Sequence, residues 1–200
     1  INGNNGEKFL YTPGQEYNGS DEFIAKTTNT LNESIGKSKT ANRMIGELSE
    51  SEYNYNILEN NKSRYIPDKL ISTSEYQSSE YFYIKGGGTI LWNPTGNGES
   101  SYEQSAPDKV ISTLKNRPEM NLLHELAHAW DNMAGLLAYK MEYKSLAVRE
   151  WTAIRTENMI RKEMGLPLRT HYGVMKNNGG PTYPPLLDLK CNYLYDKYKH

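Results

Sequence analysis

Apolar residues recur along the first fifty positions at the spacing of a helix. Phe23, Ile24, Leu31 and Ile35 follow Ser20-Asp21-Glu22, a capping site with acidic first-turn residues, and predict a helix that stops at Gly36. Ala41, Met44, Ile45 and Leu48 fall at i, i+3, i+4 and i+7 and predict a second, shorter helix. Residues 1–19, rich in Asn and Gly, read as an irregular N-terminal segment. Between Glu50 and Ser79 the chain turns polar and tyrosine-rich, with weak strand signals at Tyr53–Leu58 and Lys69–Thr73. Two β segments, Tyr81–Lys85 and Thr89–Asn93, flank Gly86-Gly87-Gly88 and predict a hairpin; the glycines lack the Lys-Ser/Thr of a phosphate loop. Residues 94–108 hold Pro, Gly, Ser and Asn with few apolar positions, the pattern of an exposed loop.

The second half is more helical. Pro118 and Glu119 suit a first turn, where a missing N–H costs nothing and a carboxylate meets the positive helix end. Leu122, Leu123, Leu126, Ala127 and Trp130 carry that helix to Gly135. Ser145 can cap a last helix that runs to about Met164, before Gly165-Leu166-Pro167 ends it.

Two hundred residues suit a single domain, 1–200, able to bury about 70% of its unfolded surface. A formal net charge of −1 removes the electrostatic argument for nucleic acid or anionic lipid as a partner. One cysteine, Cys191, excludes an internal disulfide framework and a cysteine-rich zinc module, and reads as a lone thiol. No apolar run approaches the roughly 18 residues of a membrane span, and no signal-peptide pattern opens the chain at Ile1. A monomer is the expected state.

The chemistry is concentrated in Leu123-His124-Glu125-Leu126-Ala127-His128-Ala129-Trp130, an H-E-x-x-H sequence inside the apolar helix. Histidines four residues apart share a helical face, about 5–6 Å between Cβ atoms, so both imidazoles can reach one Zn²⁺. Glu125 stands where a carboxylate can act as general base on the attacking water without ligating the metal.

Catalytic zinc takes three protein ligands and keeps one position open. The all-histidine extension H-E-x-x-H-x-x-G-x-x-H needs Gly and His where Asp131 and Ala134 stand, so a carboxylate from a following helix is expected instead. Glu150 and Glu157, seven residues apart, share a face of the last predicted helix. Glu150 is favoured as the ligand, because in Glu150-Trp151-Thr152-Ala153 a small residue one turn on leaves room for the metal-bearing helix. Glu157 is the second choice, otherwise a neighbour that orients a ligand or joins an ion pair; the plain alternative makes both solvated charges. Asp131, three residues past His128, can orient a ligand imidazole or serve as a capping or solvated carboxylate. Arg169 and Tyr172, spaced R-x-x-Y, can donate to the oxyanion of a tetrahedral intermediate, with a structural tyrosine as the rival reading; His171 reads as a packing or surface residue.

The run from Gly86-Gly87-Gly88-Thr89-Ile90-Leu91-Trp92-Asn93-Pro94 through Leu122 to Ala129, Glu150 to Ala153, Arg155 to Asn158 and Pro167 to Tyr172 resembles the NleD-type zinc metalloproteases. These are effectors that bacterial pathogens inject by type III secretion. The resemblance covers roughly residues 80–175. It implies one catalytic Zn²⁺, action in the host cytoplasm, and host mitogen-activated protein kinases of the JNK and stress-activated classes as substrates, cut within the activation loop to silence inflammatory signalling. The E-x-x-A and R-x-x-Y features also look like those of the clostridial neurotoxin and anthrax lethal factor proteases, with a glutamate ligand and an Arg/Tyr oxyanion pair.

The expected fold class is α+β: a compact zincin-like domain in which a small twisted sheet, containing the 81–93 hairpin, packs against the H-E-x-x-H helix. An exposed strand edge beside that helix is expected to align an extended peptide by main-chain hydrogen bonds. The competing expectation is a non-catalytic kinase-binding effector with a structural zinc, which requires a fourth ligand that the sequence does not obviously supply.

Overall fold

The computed structural model describes residues 1–68, 85–106, 109–135, 142–143, 146–172 and 185–187. The expected strand at Lys69–Thr73, most of the segment Tyr81–Lys85, the cap Ser145 and the thiol Cys191 lie outside them.

The helical periodicities become helices. α1 spans Glu22–Lys37, and Asp21 caps it by accepting the Ile24 N–H at 2.9 Å. α2 spans Lys39–Ser49 and is capped by Ser38, whose hydroxyl accepts the Ala41 N–H at 3.0 Å. α3 spans Pro118–Ala134, begins on its proline and ends at Gly135, whose φ of 71° is a left-handed conformation that glycine adopts without strain. α4 spans Val148–Glu163. From the end of α4, Glu163 accepts from the Thr40 backbone N–H and hydroxyl, both at 2.9 Å, and so ties α4 to the start of α2.

Strands β1 (Tyr55–Glu59), β2 (Arg64–Pro67) and β3 (Gly88–Trp92) form a sheet with β3 in the centre, parallel to β1 and antiparallel to β2. Both edges of β3 are therefore filled, and the hairpin expected across the triple glycine is replaced by pairing with β2. The glycines serve close approach instead. A Cβ on Gly88 would stand 2.5 Å from the Tyr65 ring, and one on Gly87 would stand 2.2 Å from the Asn54 carbonyl oxygen. That proximity lets the Tyr65 hydroxyl donate to Gly87 O at 2.9 Å and Asn132 of α3 donate to Gly86 O at 2.8 Å, fixing the sheet on the helix.

A second sheet corrects the loop expected over 94–108. β4 (Ser101–Ala106) pairs antiparallel with both β5 (Lys109–Lys115) and β8 (Arg169–His171). Ser101, Glu103 and Gln104 are buried, so β4 inserts polar and charged side chains into the protein and shows no apolar alternation. Two short strands, β6 (Glu142–Tyr143) and β7 (Leu146–Ala147), lead into α4. The first nineteen residues hold no helix, but Asn2 N–H donates to Ile57 O at 3.0 Å and so covers the outer edge of β1.

The main apolar core joins α1, α2, the β1–β3–β2 sheet and the apolar side of α3. Phe23, Met44, Ile90, Trp92, Leu122 and Leu123 are among its fully or nearly fully buried members, and Ala153 and Ile160 of α4 reach it too. Trp92 also donates its indole N–H to Pro118 O at 2.8 Å, pinning the start of α3 to β3. A smaller cluster of Leu146, Val148, Trp151, Ile154, Leu186 and Leu187 packs beneath α4.

Candidate active site

The two histidines project from the middle of α3 at a spacing that stacks successive turns, their rings 4.8 Å apart and perpendicular. Both are buried, 5% and 6% exposed, so their polar nitrogens need partners inside the protein. α4 supplies one. Glu150 Oε2 lies 3.3 Å from His124 Nε2 and 3.2 Å from His128 Nε2. Donors about 2.1 Å from a tetrahedral centre stand about 3.4 Å from one another, so these separations fit a metal ion in the space they enclose. His124, His128 and Glu150 can hold a metal ion, and no fourth carboxylate, imidazole or thiol joins them among the described residues. Ala153, fully buried one turn beyond Glu150, leaves room for the close crossing of the two helices.

Glu157 meets the other side of the same ring. Its Oε2 lies 3.1 Å from His124 Nδ1, two turns along α4 from Glu150. Arg161 Nε donates to Glu157 Oε1 at 2.7 Å and Arg169 Nη1 to Oε2 at 2.9 Å. In the neutral ring a carboxylate on Nδ1 fixes that nitrogen as the N–H and leaves the Nε2 lone pair facing the donor pocket. His128 Nδ1, by contrast, is buried with no hydrogen-bond partner among the described residues.

The charges set the proton affinities of the metal-free site. Burial pushes His124 down, but the Glu150 and Glu157 carboxylates outweigh it and lift the imidazole to about 9. Burial pushes Glu150 up, yet the His128 and His124 imidazoles hold it far below the usual carboxylate range. Glu157 is likewise raised by burial and brought well down by Arg169 and Arg161. The Tyr172 phenol is pushed up by burial and further by the neighbouring Glu150 carboxylate, to which it hydrogen-bonds.

A cavity of about 550 Å³ opens onto this group. One wall is the β1–β2 turn and β2, with Lys62, Arg64 and Tyr65; the other holds Glu125, His128, Arg149, Glu150 and Tyr172. Glu125 is fixed at one oxygen, where Tyr65 N–H donates to Oε2 at 2.6 Å. This contact changes the expected role of the strand edge. Ser63 N–H, just ahead of β2, is taken by Glu99, Tyr65 N–H by Glu125, and Pro67 has none, so these positions offer no main-chain donor to an extended peptide.

Tyr172 lines the cavity, its ring 6.5 Å from that of His124. Arg169 does not line it. Its guanidinium is engaged by Glu157, donates through Nε to His171 O at 3.2 Å, and lies 5.3 Å from the Tyr172 ring centre. Asp131 accepts from Thr152 Oγ1 at 2.8 Å and links α3 to α4, while the His124 Nδ1 faces Glu157 and the His128 Nδ1 has no hydrogen-bond partner among the described residues. His171 packs its ring edge-on against Tyr102 and joins no metal-donor group among the described residues.

Sequence reasoning missed Tyr65, Arg149, Glu103, Arg117 and Arg161. Arg161 had a visible signal, since it follows Glu157 by four residues on one helix face. Tyr65 had none, because it acts through its backbone.

Fold and site together define a compact α+β domain with a three-donor metal pocket and an adjacent carboxylate in one open cleft. The model of peptidase family M91, described as effector proteins, matches residues 12–147, more than half of the chain, and the protein belongs to that family, the NleD-type effectors. It is thus a peptidase-type effector, and an effector implies secretion and a target protein in the host. No helix among the described residues is long and apolar enough to cross a membrane. No curated protein and no solved structure matches the chain. The family match takes in H-E-x-x-H and ends before Glu150, so the assignment of the α4 and β8 residues rests on geometry alone.

Proposed function

We propose that the protein is a zinc-dependent endopeptidase, delivered by type III secretion, that cuts JNK and related stress-activated kinases of the host in their activation loop. The observation that carries the zinc reading is the position of one Glu150 oxygen within 3.3 Å of both Nε2 atoms, in the same cavity as Glu125. The kinase substrate rests on the resemblance to the NleD-type effectors.

His124, His128 and Glu150 would hold the ion. Zinc supplies Lewis acidity toward the scissile carbonyl and the attacking water. Glu125, held at Oε2 by Tyr65 N–H, uses its other oxygen to take the water proton and hand it to the leaving amine. The Tyr172 hydroxyl donates to the oxyanion as the carbonyl becomes tetrahedral. Arg169 acts through Tyr172, holding that ring in place from its anchor on Glu157.

The test incubates purified host kinases with wild-type protein and with Glu125→Ala, maps any cut by mass spectrometry, and measures bound metal. Site-specific cleavage by wild type, with a loss of about 10²–10⁴-fold in the variant at unchanged metal content, is expected. Equal cleavage by both proteins refutes the base; intact kinases with wild type refute the substrate.

A further inference from the structure

Glu157 is one member of a line of alternating charges that leads away from the site. Arg117, just ahead of α3, places Nε 2.8 Å from Glu103 Oε1 on β4. Arg161 Nη1 lies 2.7 Å from that same oxygen, while its Nε lies 2.7 Å from Glu157 Oε1. The other Glu157 oxygen meets His124 Nδ1 at 3.1 Å and Arg169 Nη1 at 2.9 Å. The side chains of Glu103, Arg161 and Glu157 are each about 1% exposed. Ions buried this deeply persist only with opposite charges in contact, so each member depends on the next.

We propose that Glu103 and Arg161 are positioning residues for the metal centre, setting the orientation and tautomer of His124 through Glu157. The proposal rests on the metal reading above. Arg161 is suspended between two carboxylates, with the Pro167 carbonyl oxygen at 3.2 Å as its other acceptor. Without Glu103 it turns more of its fork onto Glu157 and competes with His124 for Oε2. The Nδ1–H then loses its acceptor, and Nε2 is no longer reserved as the lone-pair donor. His128 cannot compensate, since its own Nδ1 lacks a partner among the described residues. Orientation of the histidine pair therefore enters through His124, from a strand whose sequence carries no site motif.

The test compares wild type, Glu103→Gln, Glu103→Asp and, as a core control in α2, Ile45→Val. Zinc affinity is read by competition with a chromophoric chelator, melting temperature on metal-free protein, and ring tautomer by proton–nitrogen NMR of the metal-free protein at alkaline pH, where the His124 imidazole is neutral. Glu103→Gln is expected to weaken zinc binding by about 10–100-fold and to shift the His124 ring signals, with Glu103→Asp recovering part of both. Ile45→Val should lower the melting temperature without either effect. A Glu103→Gln protein that melts lower yet binds zinc as wild type does overturns the proposal, as does an equal loss of affinity in Ile45→Val. If Glu103→Gln does not fold, Arg161→Lys, which keeps the charge and loses the fork, replaces it under the same criteria. Absence of zinc binding by wild type strikes the metal reading itself. The tautomer is read without metal, so an unaltered His124 signal in Glu103→Gln overturns the positioning role whichever way the metal experiment falls.

Discussion

The two sides of α3 are built on opposite principles. Toward α1, α2 and the β1–β3–β2 sheet it presents Met120, Leu123 and Leu126 to an apolar core. Toward α4, β4 and β8 it presents imidazoles to a buried set of carboxylates and guanidiniums. Apolar packing is non-directional and gains roughly in proportion to the area removed from water. Buried ion pairs are a poor source of net stability but hold their members in defined geometry. One helix thus draws its stability from one side and the arrangement of its site from the other.

The largest effect that sharpens this contrast is expected on the apolar side. Leu123→Ala, at a fully buried position, should cost about 2–5 kcal/mol in denaturant unfolding, while folded protein keeps its metal affinity. A large drop in affinity would show that the two sides are coupled. On the ionic side, Glu150→Ala should weaken zinc binding well beyond the roughly 10–100-fold expected for Glu157→Ala, because one removes a donor and the other its orienting neighbour. Metal titration in the reverse order would make Glu157 the ligand. Tyr172→Phe keeps the ring over Arg169 and deletes the hydroxyl; kcat should fall by about 10²-fold with zinc content unchanged. An unchanged kcat returns Tyr172 to a packing role.

The smallest effect is a pH dependence confined to the ionic side. His124 is lifted from 6.5 to about 9 in the metal-free protein, so the stability it contributes is full below about pH 6.5 and is lost as pH rises through 9. Glu150 and Glu157 are held low, so their contribution is present above about pH 4.5 and is lost as pH falls below it. Metal-free melting temperature should therefore decline between pH 6.5 and 9, and Glu157→Gln should flatten that decline. Zinc uptake below pH 9 should release protons, measurable by calorimetry in buffers of different ionisation enthalpy.

The contrast also explains what the sequence disclosed. α1, α2 and α3 were legible because one apolar side repeats with the helical period, and H-E-x-x-H was legible because both ligands share one short segment. Glu150 stood out through its spacing to Ala153, a packing requirement written locally. β4 was not legible. Ser101, Glu103 and Gln104 read as loop residues because their burial is offset by charges far along the chain, which leave no periodic trace. The triple glycine misled for a related reason: local chemistry says turn, whereas the crowding that demands glycine comes from Tyr65 and Asn54.

The acidic stoppers on β2 bear on how the molecule can be assembled. Glu99 and Glu125 reach Ser63 and Tyr65 only after the 94–100 segment and α3 have come to rest against the strand. Until then those amides are an open template for any extended chain, including another copy of the same segment. Refolding from denaturant should accordingly lose yield to aggregation before α3 docks, and the loss should rise steeply with protein concentration. After docking, the carboxylate beside the metal pocket also insulates the strand against self-association.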